Sequence, residues 1–510
     1  MTTARRAAVL FGLVLLVAFA LLPPVPPLTG LGMKRLGLIA FAIVWWIASP
    51  VPLAVTTIAA LAGGVVIGAL TLGEAFAAPT YWVMWFVIGA FGLSTALETT
   101  GFNRRFALAF LTARWVRGHP RRFLFSFLFS AALLSGLMAN TVISVVWLSL
   151  ATTIYAFLRL EKGDPFAETT VLGIGWASNI GGVTTPVGTA TNPVAIGMIG
   201  AATGVTVGFL AWTVIGSVTM LVLMVTMYAT FELVLRPDAS RIAQPETIAF
   251  LEAERGRLGP VSGAERWAVF YFGLAILLWF MPDVARFLAP EPVSRLVAAR
   301  LNLAIPALLL PVAMCLTPVR GEGRTVLTWE QWARGIDWGM VIFIGGVLGL
   351  GSALGAAETG VPAALERSLA PLLGGLPEYA FVLLLSVAIT LVTGLTSNLV
   401  SVSIFVPLGV TLSSALGIGH PVAIGVVVGI GASLAYMLPS GSSTNAIVAG
   451  SGWLRVSVML RQGLLLMVVH SLVITFLTYP LAKAVLPASI SGGILRVGPM
   501  DARDLPQPRP

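Results

Sequence analysis

Four apolar stretches of the chain, residues 124–157, 170–200, 379–415 and 421–451, carry Gly, Pro, Ser, Thr and Asn at a density that argues against continuous helix. They alternate with apolar runs at 7–29, 35–50, 51–72, 81–100, 205–235, 266–282, 301–318, 338–357 and 460–487. Several of these approach or exceed the ~20 residues that a membrane-spanning helix needs. Non-helical backbone at membrane depth has no water to bond its N–H and C=O groups. It therefore persists only where protein buries it or where it lines a wet cavity. The expected fold is an all-α polytopic membrane protein of about 11 segments, with two re-entrant helical hairpins and two broken helices. Composition agrees: 57% of the residues are hydrophobic and only 10% charged, where a soluble chain carries roughly 25% charged. Too few polar side chains remain to cover a water-facing surface.

Several function classes fall away. Cys315 is the single cysteine, which excludes a disulfide scaffold and a cysteine-rich metal cluster. His119, His420 and His470 form no HExxH pair, and no nucleophile–base pair is visible, so an enzyme is not expected. No cofactor is expected either: the glycine run Gly345–Gly351 sits mid-span, without the strand–turn–helix setting of a dinucleotide loop. The net charge of +9 reads as arginines in cytoplasmic loops, not as a nucleic-acid surface. At the start, Arg5 and Arg6 precede an apolar run from Ala7 to Leu22, the layout of a signal peptide. Pro23-Pro24-Val25-Pro26-Pro27 follows, with no small-residue cleavage site, so a retained first span with a cytoplasmic N-terminus is expected.

The chain also repeats itself. Trp82–Gly89 matches Trp338–Gly345, and Ala96-Leu97-Glu98 through Gly101 matches Ala353-Leu354 with Glu358 through Gly360. Met138–Val142 matches Thr396–Val400, and Gly188–Asn192 matches Gly441–Asn445, all in the same order at offsets of 253 to 260. The segment after Gly101 carries Arg104, Arg105, Arg114, Arg117, Arg121 and Arg122, with no acidic residue before Glu161. Its counterpart at 358–378 carries Glu358, Glu366 and Glu378 against Arg367 alone. The positive-inside rule puts equivalent loops on opposite sides, so the repeat is inverted. The polar loop 236–266 falls on the arginine side.

Few ionisable groups lie deep in the spans. Glu98, Glu232 and Glu358 sit near span ends, and no midplane carboxylate or histidine of the kind that proton-coupled carriers keep is evident. Sodium needs only oxygens, which freed carbonyls and Ser, Thr and Asn can supply, so composition favours sodium or no ion coupling over protons. No Arg or Lys lies near the Asn motifs. An anion would therefore be held by helix N-termini, by the amides of Asn140 and Asn398, and by the hydroxyls of Thr141, Ser397, Ser442 and Ser443. Trp45, Trp46, Trp82 and Trp85 read as interface anchors, and His420, beside Pro421, as a span-end residue.

At these motifs the chain resembles the divalent-anion:sodium symporter family, which includes dicarboxylate, citrate and sulfate carriers. The second break, Ala435–Val448 followed by Gly450-Ser451-Gly452, is similar to that family's Pro-/Thr-/Asn-rich break, and Ser178–Gly182 through Gly188-Thr189 to its first. The resemblance implies a scaffold, usually dimerising, that holds a moving transport domain. On that reading residues 1–123 and 236–378 are scaffold with the polar loop, 124–235 and 379–487 form the transport domain, and 488–510 is a tail. It implies one sodium site from Ser135, Ala139, Asn140 and Gly188, and a second from Thr393, Thr396, Asn398 and Gly441. The substrate would touch Asn140, Thr141, Thr189, Ser397, Asn398 and Ser443. Ala139-Asn140-Thr141 and Ser397-Asn398-Leu399 each lack a hydroxyl that the family pattern has, and Ala190-Thr191 and Ser443-Thr444 replace its paired prolines. The expected function is sodium-coupled symport of a small divalent anion at the inner membrane. A sodium-independent exchanger of the same fold and an anion channel are the alternatives.

Overall fold

The computed structural model describes residues 3–486, save for side-chain detail at positions 4, 241, 243, 355 and 357. The expected tail at 488–510 lies outside the described residues. The first half contains α1 (Thr3–Leu21), α2 (Gly30–Ala48), α3 (Leu53–Val66), α4 (Trp82–Thr99), α5 (Phe102–Leu111), α6 (Pro120–Ser135), α7 (Asn140–Leu158), α8 (Pro165–Gly182), α9 (Thr191–Thr203) and α10 (Phe209–Thr230). After α11 (Pro245–Arg257), the second half runs α12 (Gly263–Leu288), α13 (Ala304–Leu316), α14 (Trp338–Gly355), α15 (Val361–Leu373), α16 (Glu378–Leu395), α17 (Asn398–Leu416), α18 (Pro421–Ala432), α19 (Ser443–Gly450) and α20 (Val456–Val473). Among the described residues, eight helices are long and apolar enough to cross a membrane, or up to ten if two bent pairs count as spans. Strand structure among the described residues is confined to a two-residue ladder, Pro318–Val319 against Arg324–Thr325.

Local chemistry sets the ends. The sequence suggests a first span to residue 29, but α1 stops at Leu21, because Pro23 and Pro24 cannot continue a helix. Thr29 caps α2 by accepting from Gly32 N at 3.1 Å, and Asp337 caps α14 by accepting from Met340 N at 2.9 Å. Gly101 and Gly360, paired by the repeat, both take left-handed backbone (φ +79° and +69°) at the corner into α5 and α15. Of the four tryptophans read as interface anchors, Trp46 is instead core. It is 4% exposed and meets the Phe343 ring edge-on at 5.2 Å. The adjacent Trp45 is half-buried against α1, with Nε1 3.4 Å from Val9 O.

Ion pairs fix which loops share an end. Arg104 meets Glu254 and Arg105 meets Glu265, both at 2.7 Å, folding the polar loop and α11 onto α5. At the far end of α4, Arg35 donates to Glu74 Oε1 (2.6 Å) and Ala353 O (2.5 Å), with Glu358 3.8 Å away. The corner after α4 and the equivalent corner after α14 thus lie at opposite ends of the bundle. The repeat is inverted.

The hairpins α6–α7 and α16–α17 turn back inside the bundle, each against a half-helix, α8 and α18 respectively. These two half-helices are buried along nearly their whole length, the state expected of helices apolar all round. Each second half-helix crosses over. The segment α9 packs on α17 and α18 of the other repeat, and α19 packs on α7 and α8.

Candidate functional site

The crossing is specified by hydrogen bonds that recur between the halves. Asn192 Nδ2 donates to Gly182 O (2.8 Å) and Thr185 O (2.7 Å), and Asn445 Nδ2 donates to Ala435 O (3.1 Å) and Leu438 O (3.2 Å). Both amides use carbonyls that a broken helix leaves unpaired, as buried backbone requires. Each pair of equivalent atoms is 253 residues apart. Across the halves, Thr191 shares a hydrogen bond with Ser433 (2.6 Å), and Thr444 Oγ1 donates to Asn179 Oδ1 (2.8 Å). Every second half-helix is therefore pinned to the end of the opposite first half-helix.

One pair breaks the symmetry. Asn179 also donates to Ala435 O and Ser442 Oγ, both at 3.1 Å, and faces Asn445 Oδ1 at 3.5 Å. Its counterpart Ser433 is too short to do the same, and Asn192 Oδ1 is left buried without a partner. The second break is tied down more completely than the first.

Beside each break lies a nest of oxygens. Ser135 Oγ, Asn140 Oδ1 and Ser178 O come together at 2.7 and 2.8 Å. The equivalent Thr393 Oγ1, Asn398 Oδ1 and Ala432 O lie at 2.9 and 2.6 Å. Gly188 and Gly441 close the two nests. A methyl group on Gly188 would lie 2.5 Å from Gly182 O and 2.8 Å from Ser135 O, and one on Gly441 would lie 2.9 Å from Thr393 O. Asn398 can face its nest in two ways. With nitrogen inward it donates to Gly441 O (2.7 Å), Thr393 Oγ1 (2.9 Å) and Ala432 O (3.3 Å). With Oδ1 inward, carbonyl oxygens face another oxygen with no proton between them, which suits a cation at the centre.

The remaining residues singled out from the sequence divide. Thr141 Oγ1 and Ser443 Oγ, one from each half, are 2.9 Å apart and both residues are exposed, so the tip of the first hairpin and the start of α19 meet at an accessible point. Ser442 is engaged otherwise: its hydroxyl accepts from Asn445 N (3.2 Å) as the cap of α19 and faces Asn179. Thr396 Oγ1 donates to Val392 O at 3.0 Å and pairs with Ser401, and the Ala139 carbonyl is engaged by the first turn of α7. Thr189 lies 3.4 Å from the Thr191 hydroxyl, and Ser397 is the half-buried residue that starts α17. Leu399, beside it, is half-buried and packs on the apolar core.

Sequence reasoning missed Asn179, Ser433 and the stapling role of Asn192 and Asn445. It also found no buried histidine, and here the structure corrects it. His470 in α20 is fully buried, with Nδ1 2.6 Å from Tyr436 OH and Nε2 3.0 Å from Thr226 Oγ1. A histidine with both ring nitrogens partnered sits inside an apolar run without any flanking charge to reveal it. His420 does cap a span end, its Nδ1 accepting from Ala423 N at 3.1 Å. No group of three or more His, Cys, Asp or Glu able to hold a metal occurs among the described residues.

Comparison with known proteins agrees with this architecture. The family described as "Sodium:sulfate symporter transmembrane region" matches residues 4–483. The sodium-dependent dicarboxylate transporter SdcS of Staphylococcus saprophyticus is 27% identical over 491 residues, covering 93% of this chain and 92% of that one. An uncharacterized transporter of Haemophilus influenzae is 28% identical over 472 residues, covering 91% and 95%. SdcS of Staphylococcus aureus is 26% identical over 471 residues, covering 90% and 88%. In fold, the chain is similar to the solved YdaH transporter of Alcanivorax borkumensis, with a TM-score of 0.56 at 13% identity, covering 96% of this chain and all of that one. With inverted halves, two hairpins and two stapled breaks in place and the family matched almost end to end, this chain belongs to the sodium:sulfate symporter family and is a multi-pass membrane transporter, not an enzyme.

Proposed function

We propose that the protein is a secondary active transporter that moves a small divalent anion, of the dicarboxylate or sulfate class, together with sodium by alternating access. The observation that carries this reading is the pair of equivalent oxygen nests, Ser135/Asn140/Gly188 and Thr393/Asn398/Gly441, flanking the meeting point of Thr141 and Ser443. Each Asn amide offers its carbonyl oxygen to a cation and its NH₂ to an anion, so binding of one prepares the site for the other. The anion is held by hydroxyls, amides and helix N-termini, without a buried cationic side chain. Sodium is the coupling ion, and the arginine-rich end with the N-terminus faces the cytoplasm. The functional unit is a homodimer in the inner membrane, with the hairpins and broken helices as its moving part.

The direct test is uptake of labelled sulfate, succinate or malate into proteoliposomes. Accumulation driven by an inward sodium gradient supports the reading. Uptake that ignores sodium but needs anion preloaded inside would replace symport with exchange, and currents far above carrier turnover would indicate a channel.

A further inference from the structure

A separate cavity of about 650 Å³ opens at the arginine-rich end of the bundle, between the start of α6 and the end of α10. This is within the range of small-molecule sites. Its wall includes His119, Arg121, Arg122, Arg236, Glu232 and Asp238. The charges do not cancel. Glu232 is occupied, meeting Arg121 Nε at 3.0 Å and accepting from Tyr228 OH at 2.7 Å. Asp238 Oδ1 accepts from Ser240 N at 3.0 Å. Arg122 and Arg236 reach only carbonyls, Trp115 O at 3.4 Å and Leu233 O at 3.2 Å, and neither forms an ion pair with a described residue. Two guanidinium groups thus face one cavity with donors to spare, the geometry that recognises a phosphate oxyanion.

A second observation says what kind of phosphate. Along α10, Val214, Val218, Leu221 and Val225 are exposed at spacings of four, three and four residues, an outward apolar stripe on one helix face. The stripe continues through exposed Leu233 and Val234 to Arg236 at the cavity. Phe125, stacked on Phe129 and edge-on to Tyr228, adds an aromatic wall beside it. Apolar track and cationic mouth adjoin, as the tails and headgroup of a lipid do.

We propose that this crevice is a binding site for an anionic phospholipid, its phosphate on Arg122 and Arg236 and its acyl chains along the α10 stripe. The site is distinct from the oxygen nests and needs no assumption about the transported anion. A freely soluble phosphate would use the guanidinium groups alone and leave the stripe irrelevant.

The experiment is retention of phosphatidylglycerol by the purified full chain, read by native mass spectrometry after exchange from mixed phosphatidylcholine/phosphatidylglycerol micelles. Wild type should retain phosphatidylglycerol over phosphatidylcholine. Arg122→Gln/Arg236→Gln should weaken that preference about tenfold or more, given the contribution of each basic residue at a membrane surface. Arg122→Lys/Arg236→Lys should keep part of it, and Arg114→Gln, at the same end but outside the cavity, should keep all. Equal retention by wild type and the Gln pair, at unchanged monodispersity, overturns the proposal. So does displacement of the lipid by glycerol phosphate or sulfate at equal concentration, which would make this a soluble-anion site.

Discussion

Replacing Asn179 by Ala removes a side chain that bonds Ala435, Ser442 and Thr444 of the other half. Three contacts of good geometry are lost: the donations to Ala435 O and Ser442 Oγ at 3.1 Å, and the acceptance from Thr444 at 2.8 Å. The fourth, at 3.5 Å to Asn445, is too long to count. Interhelical hydrogen bonds in membranes are worth about 0.6 kcal/mol on average and up to about 1.7, so the three together contribute roughly 2–5 kcal/mol. That energy fixes the segment carrying Gly441 and Ser443, and its loss falls on the second oxygen nest. If about 1.4 kcal/mol of it reaches the ion equilibrium, the sodium concentration for half-maximal uptake rises about tenfold. Asn179→Ser should fall between, because a serine hydroxyl can meet Thr444 as Ser433 meets Thr191. The assay is sodium-dependent uptake alongside thermal unfolding of the purified protein. Unchanged sodium dependence and unchanged melting in Asn179→Ala would refute the idea that the halves are pinned at this residue.

Gly188→Ala should abolish uptake, because its methyl group meets two carbonyls at 2.5 and 2.8 Å, whereas Gly441→Ala, facing its nearest carbonyl at 2.9 Å, should retain more activity; equal loss in both contradicts the geometry. Ser433→Asn gives the first break the kind of donations that Asn179 makes to Ala435 O and Ser442 Oγ in the second, and should raise thermal stability by about 0.6 kcal/mol, with a lowered melting temperature as the contrary result. At the opposite end, burial raises the Glu74 carboxyl, but hydrogen bonds from Thr71 and the Arg35 guanidinium outweigh it and hold the group below the usual 4.5. Its stabilisation is therefore complete above pH 4.5 and lost as pH falls through the lower folded value. Glu74→Gln should flatten the acid limb of thermal stability against pH, and an unaltered limb would count against the Arg35 cluster.

The sequence showed most clearly what depends on hydrogen-bonding demand in lipid. Broken segments announced themselves because Gly, Pro and Asn are out of place in a spanning helix, and the inverted repeat showed in the matched glycine corners and unequal loop charge. Helix ends such as Leu21 follow from proline chemistry and needed only local reasoning. Contacts between halves were not legible. Asn179 meets Thr444 across 265 residues, and no local pattern distinguishes an asparagine that crosses from one that turns toward its own helix. The 253-residue offset was in hand, and applying it to Asn192 and Asn445 marks both as staples of a break. Applied to Asn179 it leads to Ala432, one residue short of Ser433, so the offset alone cannot reveal a contact that one half makes and the other does not. Trp46 and His470 escaped for a related reason: a tryptophan or histidine in an apolar run carries no sign of whether lipid or protein surrounds it.

If the two equivalent oxygen nests bind sodium beside a shared anion site, sodium and anion must cross together. Parallel uptake of radiolabelled sodium and radiolabelled anion into proteoliposomes, in wild type, Asn140→Ala and Asn398→Ala, tests it most directly. Sodium and anion should enter wild-type vesicles only together, and each variant should lose both fluxes while remaining folded. Anion uptake in either variant at the wild-type rate, or wild-type anion uptake without accompanying sodium, would contradict it.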